Sequence, residues 1–406
     1  MTANSALNTY PSQRTSAKIR DSVGYWVVPL LLVFALFQNY SDIQSVMSGE
    51  SLKLYQVQGS LAIRAMKDIS YLFIIIALFY YNFKEKSASI SMSFTLLLGL
   101  SIILAAISIG KHDLLTAVLG LRWVTPLLIF ILLKDWALRY QGARAIPWVF
   151  AGMLICVGVQ IYQLFNMPPV YGTIFGLSAR TPGIFLAPNS ASFFGCACAA
   201  FISVYSGGRF KYNASAGALA FMISALAQSG TGIVVSLFLL LQIFLRRSQV
   251  VLFGAIGVAM IWVAPNLDTL LSRDRFTELS GGGRIDRFTE IVSEAAFSLN
   301  NFGFYTNAAN LADELPQYRK AVDSLIASFV GNFGATTALA LAIVILFIFQ
   351  YFKSIKFSTV SATLVVFVIF SFTTIIFEAY PMNILLALSF WGARNMSIAR
   401  NHKTHA

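Results

Sequence analysis

Apolar runs of about 17 to 25 residues recur between Val23 and Trp391, separated by short polar stretches, and that is the length an α-helix needs to cross about 30 Å of hydrocarbon. The pattern predicts membrane-spanning helices over 23–40, 69–83, 89–110, 114–133, 146–166, 189–206, 214–228, 232–245, 249–266, 325–350, 358–377 and 380–392. A transmembrane barrel would instead show alternating segments of about ten residues, and none is sustained along the chain. The expected fold is therefore an all-α polytopic membrane protein with about 12 transmembrane helices and one large periplasmic loop.

Charge tests that count independently, because Lys and Arg accumulate in cytoplasmic loops. With a cytoplasmic tail over 1–22, alternate connections carry Lys84 and Lys86, then Lys134, Arg139 and Arg144, then Arg209 and Lys211. Arg246 and Arg247 follow, then Lys353 and Lys356, and Arg394, Arg400 and Lys403 close the set in a second tail over 393–406. The alternation predicts both termini in the cytoplasm, the exception being 41–68 with Lys53, Arg64 and Lys67. Met1 to Arg20 runs into the first apolar segment without a small-residue cleavage pattern, which reads as an uncleaved first helix. Within 214–245, Ser229-Gly230-Thr231-Gly232 interrupts an apolar stretch with two basic ends. Two basic ends require an even number of crossings, met either by a tight helical hairpin or by a re-entrant pair buried in protein or lining a wet cavity.

The chain divides into a membrane bundle over 23–266, a large loop over 267–324 and further membrane helices over 325–392. The outward connection 167–188 holds Pro168, Pro169, Arg180, Pro182, Gly183 and Pro188, so it is an irregular loop. Most of the acidic residues lie in 267–324, where such charge requires water or a polar cavity. Ile285, Phe288, Ile291, Val292 and Ala295 recur there at helical spacing, predicting an amphipathic helix on the membrane surface or the bundle.

Composition agrees: 57% of residues are apolar and only 11% charged, against about 25% charged in a soluble chain. The formal charge of +12 is explained by loop Lys and Arg, so no nucleic-acid partner is expected. Cys156, Cys196 and Cys198 all lie in apolar segments and read as small core residues, neither a disulfide framework nor a zinc site. No metal and no cofactor is indicated.

Candidate chemistry gathers in the two outward loops. Ser280-Gly281-Gly282-Gly283-Arg284 precedes the amphipathic helix, so backbone amides and a guanidinium converge at a helix N-terminus, a candidate anion site. The alternative is a glycine turn whose arginine pairs with Asp286 or Glu290. Arg180 is a second guanidinium for the same cavity, or an arginine snorkelling to headgroups. Arg122 lies within an apolar segment, where a charge costs several kcal/mol unless paired or hydrated. It contacts ligand, or it reaches the outer headgroup layer near Lys111-His112-Asp113. For a general base the choices are His112, Asp323 and Glu378, and Asp323 is preferred, although a helix-capping role suits it equally.

Taken in order, these motifs resemble the O-antigen polymerase and O-antigen ligase superfamily of bacterial envelope glycosyltransferases. Gly120-Leu121-Arg122-Trp123 is similar to its early arginine-bearing helix, and Arg180-Thr181-Pro182-Gly183 followed by Pro188-Asn189 to its arginine, glycine and Pro-Asn signature. Ser229-Gly230-Thr231-Gly232 stands where a Ser-Arg-x-Gly-like turn is expected, with glycine in the arginine's place. Gly283-Arg284 and then Asn301-Phe302-Gly303-Phe304 resemble an arginine preceding a Gly-Phe-Gly-like turn, and Asp323 to Gly334 the end of the large loop. The late histidine of ligases is absent, which favours a polymerase.

The resemblance implies glycans carried on undecaprenyl diphosphate at the periplasmic face of a bacterial inner membrane. A glycan would leave its carrier and join a second lipid-linked repeat unit, without metal or nucleotide sugar. Arg180, Arg284 and Asp323 are the implied catalytic residues, with Arg122, Asn189, Arg287 and Gly283 binding substrate. Membrane lipids and a chain-length regulator are the implied partners. One rival is a ligase moving finished polysaccharide to lipid A core or protein. Another is a flippase, disfavoured because Arg122 is the lone interior charge and the two halves do not repeat.

Overall fold

The computed structural model describes residues 26–37, 39–48, 61–84, 92–137, 140–168, 180–245, 282–306, 324–352 and 355–404. Among these, the secondary structure is helical, with no strand. The helices are α1 (Trp26–Phe37), α2 (Tyr40–Met47), α3 (Leu61–Lys84), α4 (Met92–Lys111), α5 (Leu114–Trp136), α6 (Ile146–Asn166) and α7 (Pro188–Tyr205). They continue with α8 (Phe210–Leu226), α9 (Gly230–Leu245), α10 (Gly282–Ala295), α11 (Leu325–Phe333), α12 (Thr337–Phe352), α13 (Phe357–Ser371) and α14 (Met382–Thr404). Short 3-10 turns at Gly142–Ala145, Gly334–Thr336 and Ile376–Glu378 join some of them.

Local chemistry sets several of these limits. Asp113 caps α5 by accepting the Thr116 amide at 2.6 Å, satisfying one of the orphan N–H groups of a helix start. Ser324 caps α11 in the same way through Ala327. Pro188 occupies the first position of α7, where its missing N–H costs nothing.

At the centre stands α7, whose sequence Pro-Asn-Ser-Ala-Ser-Phe-Phe-Gly-Cys-Ala-Cys-Ala-Ala-Phe is buried on nearly every side. A helix surrounded in this way carries small residues, since helices packed in a membrane approach most closely where side chains are small. It packs against α6, α8, α9, α13 and α14, while α5 packs against α3, α4 and α14, and α10 rests on α11. Tyr205 shows how tight the fit is: its ring lies where a Cβ on Gly142 or Gly392 would sit, and its hydroxyl donates to the Leu388 carbonyl at 2.9 Å.

Four helical stretches among the described residues are long and apolar enough to cross a membrane: Met92–Lys111, Leu114–Lys134, Gly142–Asn166 and Leu325–Phe352. Shorter apolar helices cover Trp26–Phe37, Asp68–Tyr80, Gly230–Ile243 and Phe357–Ser371. At about 1.5 Å per residue the 16-residue α9 is about 24 Å long, short of a bilayer's hydrocarbon. The described structure therefore supports a helical membrane protein, and fewer full-length spans than the twelve expected. The expected segment 249–266 lies outside the described residues.

One expectation needs correction, and two others gain detail. The run 325–350 is not one continuous helix, because the chain turns at Gly334, with φ of +49°, before α12 begins. The connection 41–68 is partly helical, since α2 and the start of α3 fall within it. The interrupted stretch at 214–245 is a helical hairpin of α8 and α9, joined by Ala227–Ser229 with Gln228 in the left-handed region.

Two basic residues meet at one tyrosine. Lys134, near the end of α5, donates to the Tyr351 hydroxyl at 3.0 Å, and the Arg394 guanidinium lies 4.7 Å from the centre of the same ring.

Candidate functional site

The segment 180–187 that leads into α7 is fixed by two glutamines that sequence reasoning passed over. Gln160 and Gln163 are fully buried on α6. Gln163 grips Gly183 at two points, its Oε1 accepting the glycine N–H at 2.7 Å and its Nε2 donating to the glycine carbonyl at 2.9 Å. Gln160 Nε2 donates to the carbonyls of Thr181, at 2.9 Å, and Ile223, at 3.1 Å, while its Oε1 is buried with no protein partner. Gly183 has φ of +63°, and a Cβ there would come within 2.7 Å of Cys156 Sγ and 3.0 Å of Gln160 Cγ. Only glycine fits this approach without strain.

The same loop is tied to the end of α8. Thr181 donates to the Leu226 carbonyl from its amide, at 3.1 Å, and from its hydroxyl, at 2.9 Å. Half-buried Arg180 then donates from Nε to the Ala227 carbonyl at 3.3 Å. Its guanidinium is thereby held at the α8–α9 turn, where Ser229 caps α9 by accepting the Gly232 amide at 3.3 Å. Gly232 touches α7 near its start, since a Cβ there would fall 2.4 Å from Ser192 Cβ. Half-buried Asn189 lies one turn earlier in the same helix. The motifs at 180–183 and 229–232, far apart in sequence, are therefore joined at the α8–α9 turn, close to the start of α7.

A second node forms where the large loop returns to the bundle. Phe302 is fully buried against Gly120, and Ser108 Oγ donates to the Phe302 carbonyl at 3.0 Å. Asn332 on α11 accepts the amides of Gly303, at 2.9 Å, and Tyr305, at 3.3 Å, and donates to the Tyr305 carbonyl at 3.0 Å. Trp123 packs its ring on Phe329, Phe333 and Phe377 at 5.9, 5.8 and 5.3 Å. Phe302 and Tyr305 are thus part of the core, which corrects the expectation that 267–324 lies wholly in water or over a polar cavity. Its sequence signal was the aromatic run Phe302-Gly303-Phe304-Tyr305.

Arg122 is paired with α3. Its Nε lies 2.8 Å from Asp68 Oδ1 on α3, close enough for an ion pair but not aligned as a hydrogen bond, since Oδ1 accepts none. The charge expected to contact ligand or headgroups has a carboxylate neighbour on α3, 54 residues earlier in the chain.

 Nothing in the apolar pattern of α5 pointed to that partner.

The remaining candidates are placed less closely. Gly283 and Arg284 lie in the first turn of α10 and Arg287 in its second, so Gly282 and Gly283 belong to the helix itself. The side chains of Arg284 and Arg287 lie outside the described residues, as does Asp323. The capping role considered for Asp323 belongs to Ser324. His112 packs its ring 5.0 Å from Phe304, beside the second node.

The chain matches no family model, no curated protein and no solved structure.

Proposed function

We propose that this chain is a glycosyltransferase of the bacterial inner membrane. It would polymerise oligosaccharide repeat units carried on undecaprenyl diphosphate at the periplasmic face, with both termini cytoplasmic. The observation that supports this reading best is the seating of Arg180. A buried loop bound to α6 and α8 holds its Nε on the Ala227 carbonyl, at the turn that leads into α9.

The chemistry follows from charge. As the glycosidic bond to the carrier breaks, negative charge grows on the departing diphosphate. A guanidinium fixed beforehand stabilises that state more than the ground state, and its planar fork matches phosphate oxygens. The orphan amides of a helix start favour the same charge. Arg284, in the first turn of α10, would supply a second guanidinium, and Asp323 would take the acceptor hydroxyl's proton. Asn189, Arg122, Gly283 and Arg287 are proposed to contact substrate. The donor is already activated, so the reaction requires neither metal nor nucleotide. A chain-length regulator is the proposed protein partner.

The test is complementation of a null strain with Arg180→Ala and Arg284→Ala. Each variant is expected to reach the membrane at normal abundance and to leave single-repeat glycan in place of long polymer. Unchanged polymer from both would refute the assignment. Long chains left on the carrier lipid in the null strain would indicate a ligase instead.

A further inference from the structure

At the opposite end of α7 from Arg180, a cavity of about 240 Å³ opens between α7, α8, α9 and α13. A water occupies about 30 Å³ of liquid, so this space holds on the order of eight and is no packing defect. Its lining changes character: Leu239 and Ile243 are apolar, whereas Ser203, Asn213 and Gln242 bring hydroxyl and amide groups. Beside it, in and just after the α7–α8 connection, stand Arg209 and Lys211, both exposed. Among the described residues neither side chain meets a carboxylate.

We propose that this cavity binds an anionic phospholipid, with its phosphate on Arg209 and Lys211 and its glycerol and upper acyl segment inside. The argument is one of matching chemistry. A lipid passes from charge through ester to hydrocarbon over a short distance; the cavity lining combines amides and hydroxyls with aliphatic side chains, and Arg209 and Lys211 are the chain neighbours of its lining residues Gly208 and Phe210. Val234 and Phe238 on the neighbouring α9 are exposed, so the site continues into a surface suited to lipid tails. Basic pockets between membrane helices favour anionic headgroups, and each cation near such a surface is worth a factor of about five in affinity. The site is independent of the transferase reading.

Native mass spectrometry of the purified full chain, titrated with phosphatidylglycerol or phosphatidylcholine, tests this. The chain is expected to retain phosphatidylglycerol preferentially, and the double variant Arg209→Ala/Lys211→Ala to bind it about thirtyfold more weakly. Both residues are exposed, so that variant keeps the fold. Ala362→Phe, which fills the cavity, is expected to lose the lipid as well, with Ser203→Leu as the milder substitution if the first misfolds. Equal binding of the two lipids, or wild-type affinity in the charge variant, overturns the proposal. Retention by the correctly folded filled variants overturns it too, because the headgroup would then be held at the surface by charge alone.

Discussion

Gly303→Ala puts the packing of the large loop to its hardest test. The glycine has φ of +94°, and its missing Cβ would lie 1.8 Å from the Thr116 carbonyl oxygen and 2.9 Å from the Gly120 amide. Both are backbone atoms of α5, so relief requires the loop to retreat, carrying Phe302 with it. The left-handed conformation alone costs an alanine about 1–2 kcal/mol. Loss of the Gly303–Asn332 hydrogen bond adds about 0.5–1.5 kcal/mol. Unseating Phe302, which is fully buried, has an upper limit near the about 3–5 kcal/mol of a phenylalanine truncation. The sum runs from about 1.5 kcal/mol with Phe302 still seated to about 8.5 kcal/mol with it displaced, a large share of the about 5–15 kcal/mol that keeps a domain folded. Thermal melting of the detergent-purified protein, followed by size exclusion, is expected to fall by about 5 °C or more. Gly158→Ala is the control, because a Cβ there meets nothing within 4 Å. If both variants melt within about 1 °C of the parent, the argument from close approach is wrong.

Two further outcomes follow from the hydrogen bonds. Gln163→Leu leaves the buried amide and carbonyl of Gly183 unpaired, at about 1–3 kcal/mol each. It is expected to lower the melting temperature and to abolish polymer although the protein still reaches the membrane; normal polymer would show that the loop does not position Arg180. Asp113 has its carboxyl held below the usual range by hydrogen bonds from the Thr116 hydroxyl and amide. A depressed folded-state pKa gives stability that is present above the unfolded value of about 3.9 and is lost as pH falls through the folded value. Asp113→Ala is therefore expected to cost about 1 kcal/mol at neutral pH, and the gap between variant and parent to close in acid. A gap that stays constant on acidification would mean that the charged cap contributes nothing.

The apolar pattern was enough to locate most helices, since α6 coincides with the expected 146–166 and α7 to α9 differ from their segments mainly at the ends. That follows from burial in lipid or protein, which hydropathy measures directly. Gly334 shows what periodicity does not carry. Its turn is set by the Ser298 carbonyl, which accepts the Ala335 amide at 3.0 Å and leaves a Cβ on Gly334 only 1.8 Å away. Such a contact between residues 36 positions apart has no local signature. Of the candidate site, the glycines and Arg180 were legible because turn chemistry is local. Gln160, Gln163, Asn332 and Asp68 were not singled out, although polar groups inside apolar helices are themselves a signal of a buried partner.

The two nodes share one physical device, and it bears on how the site behaves. In each, a glycine with positive φ brings loop backbone against a helix, and a neutral amide side chain both donates to and accepts from that backbone. Gln163 does this for 180–187, and Asn332 for 302–306. Neither amide titrates, and a buried neutral hydrogen bond is little affected by salt, unlike the partly exposed Arg122–Asp68 pair. The position of Arg180 should therefore hold across a wide range of pH and ionic strength. Any acid or salt sensitivity of turnover would then come from the charges that bind substrate, and not from movement of the loops that carry them.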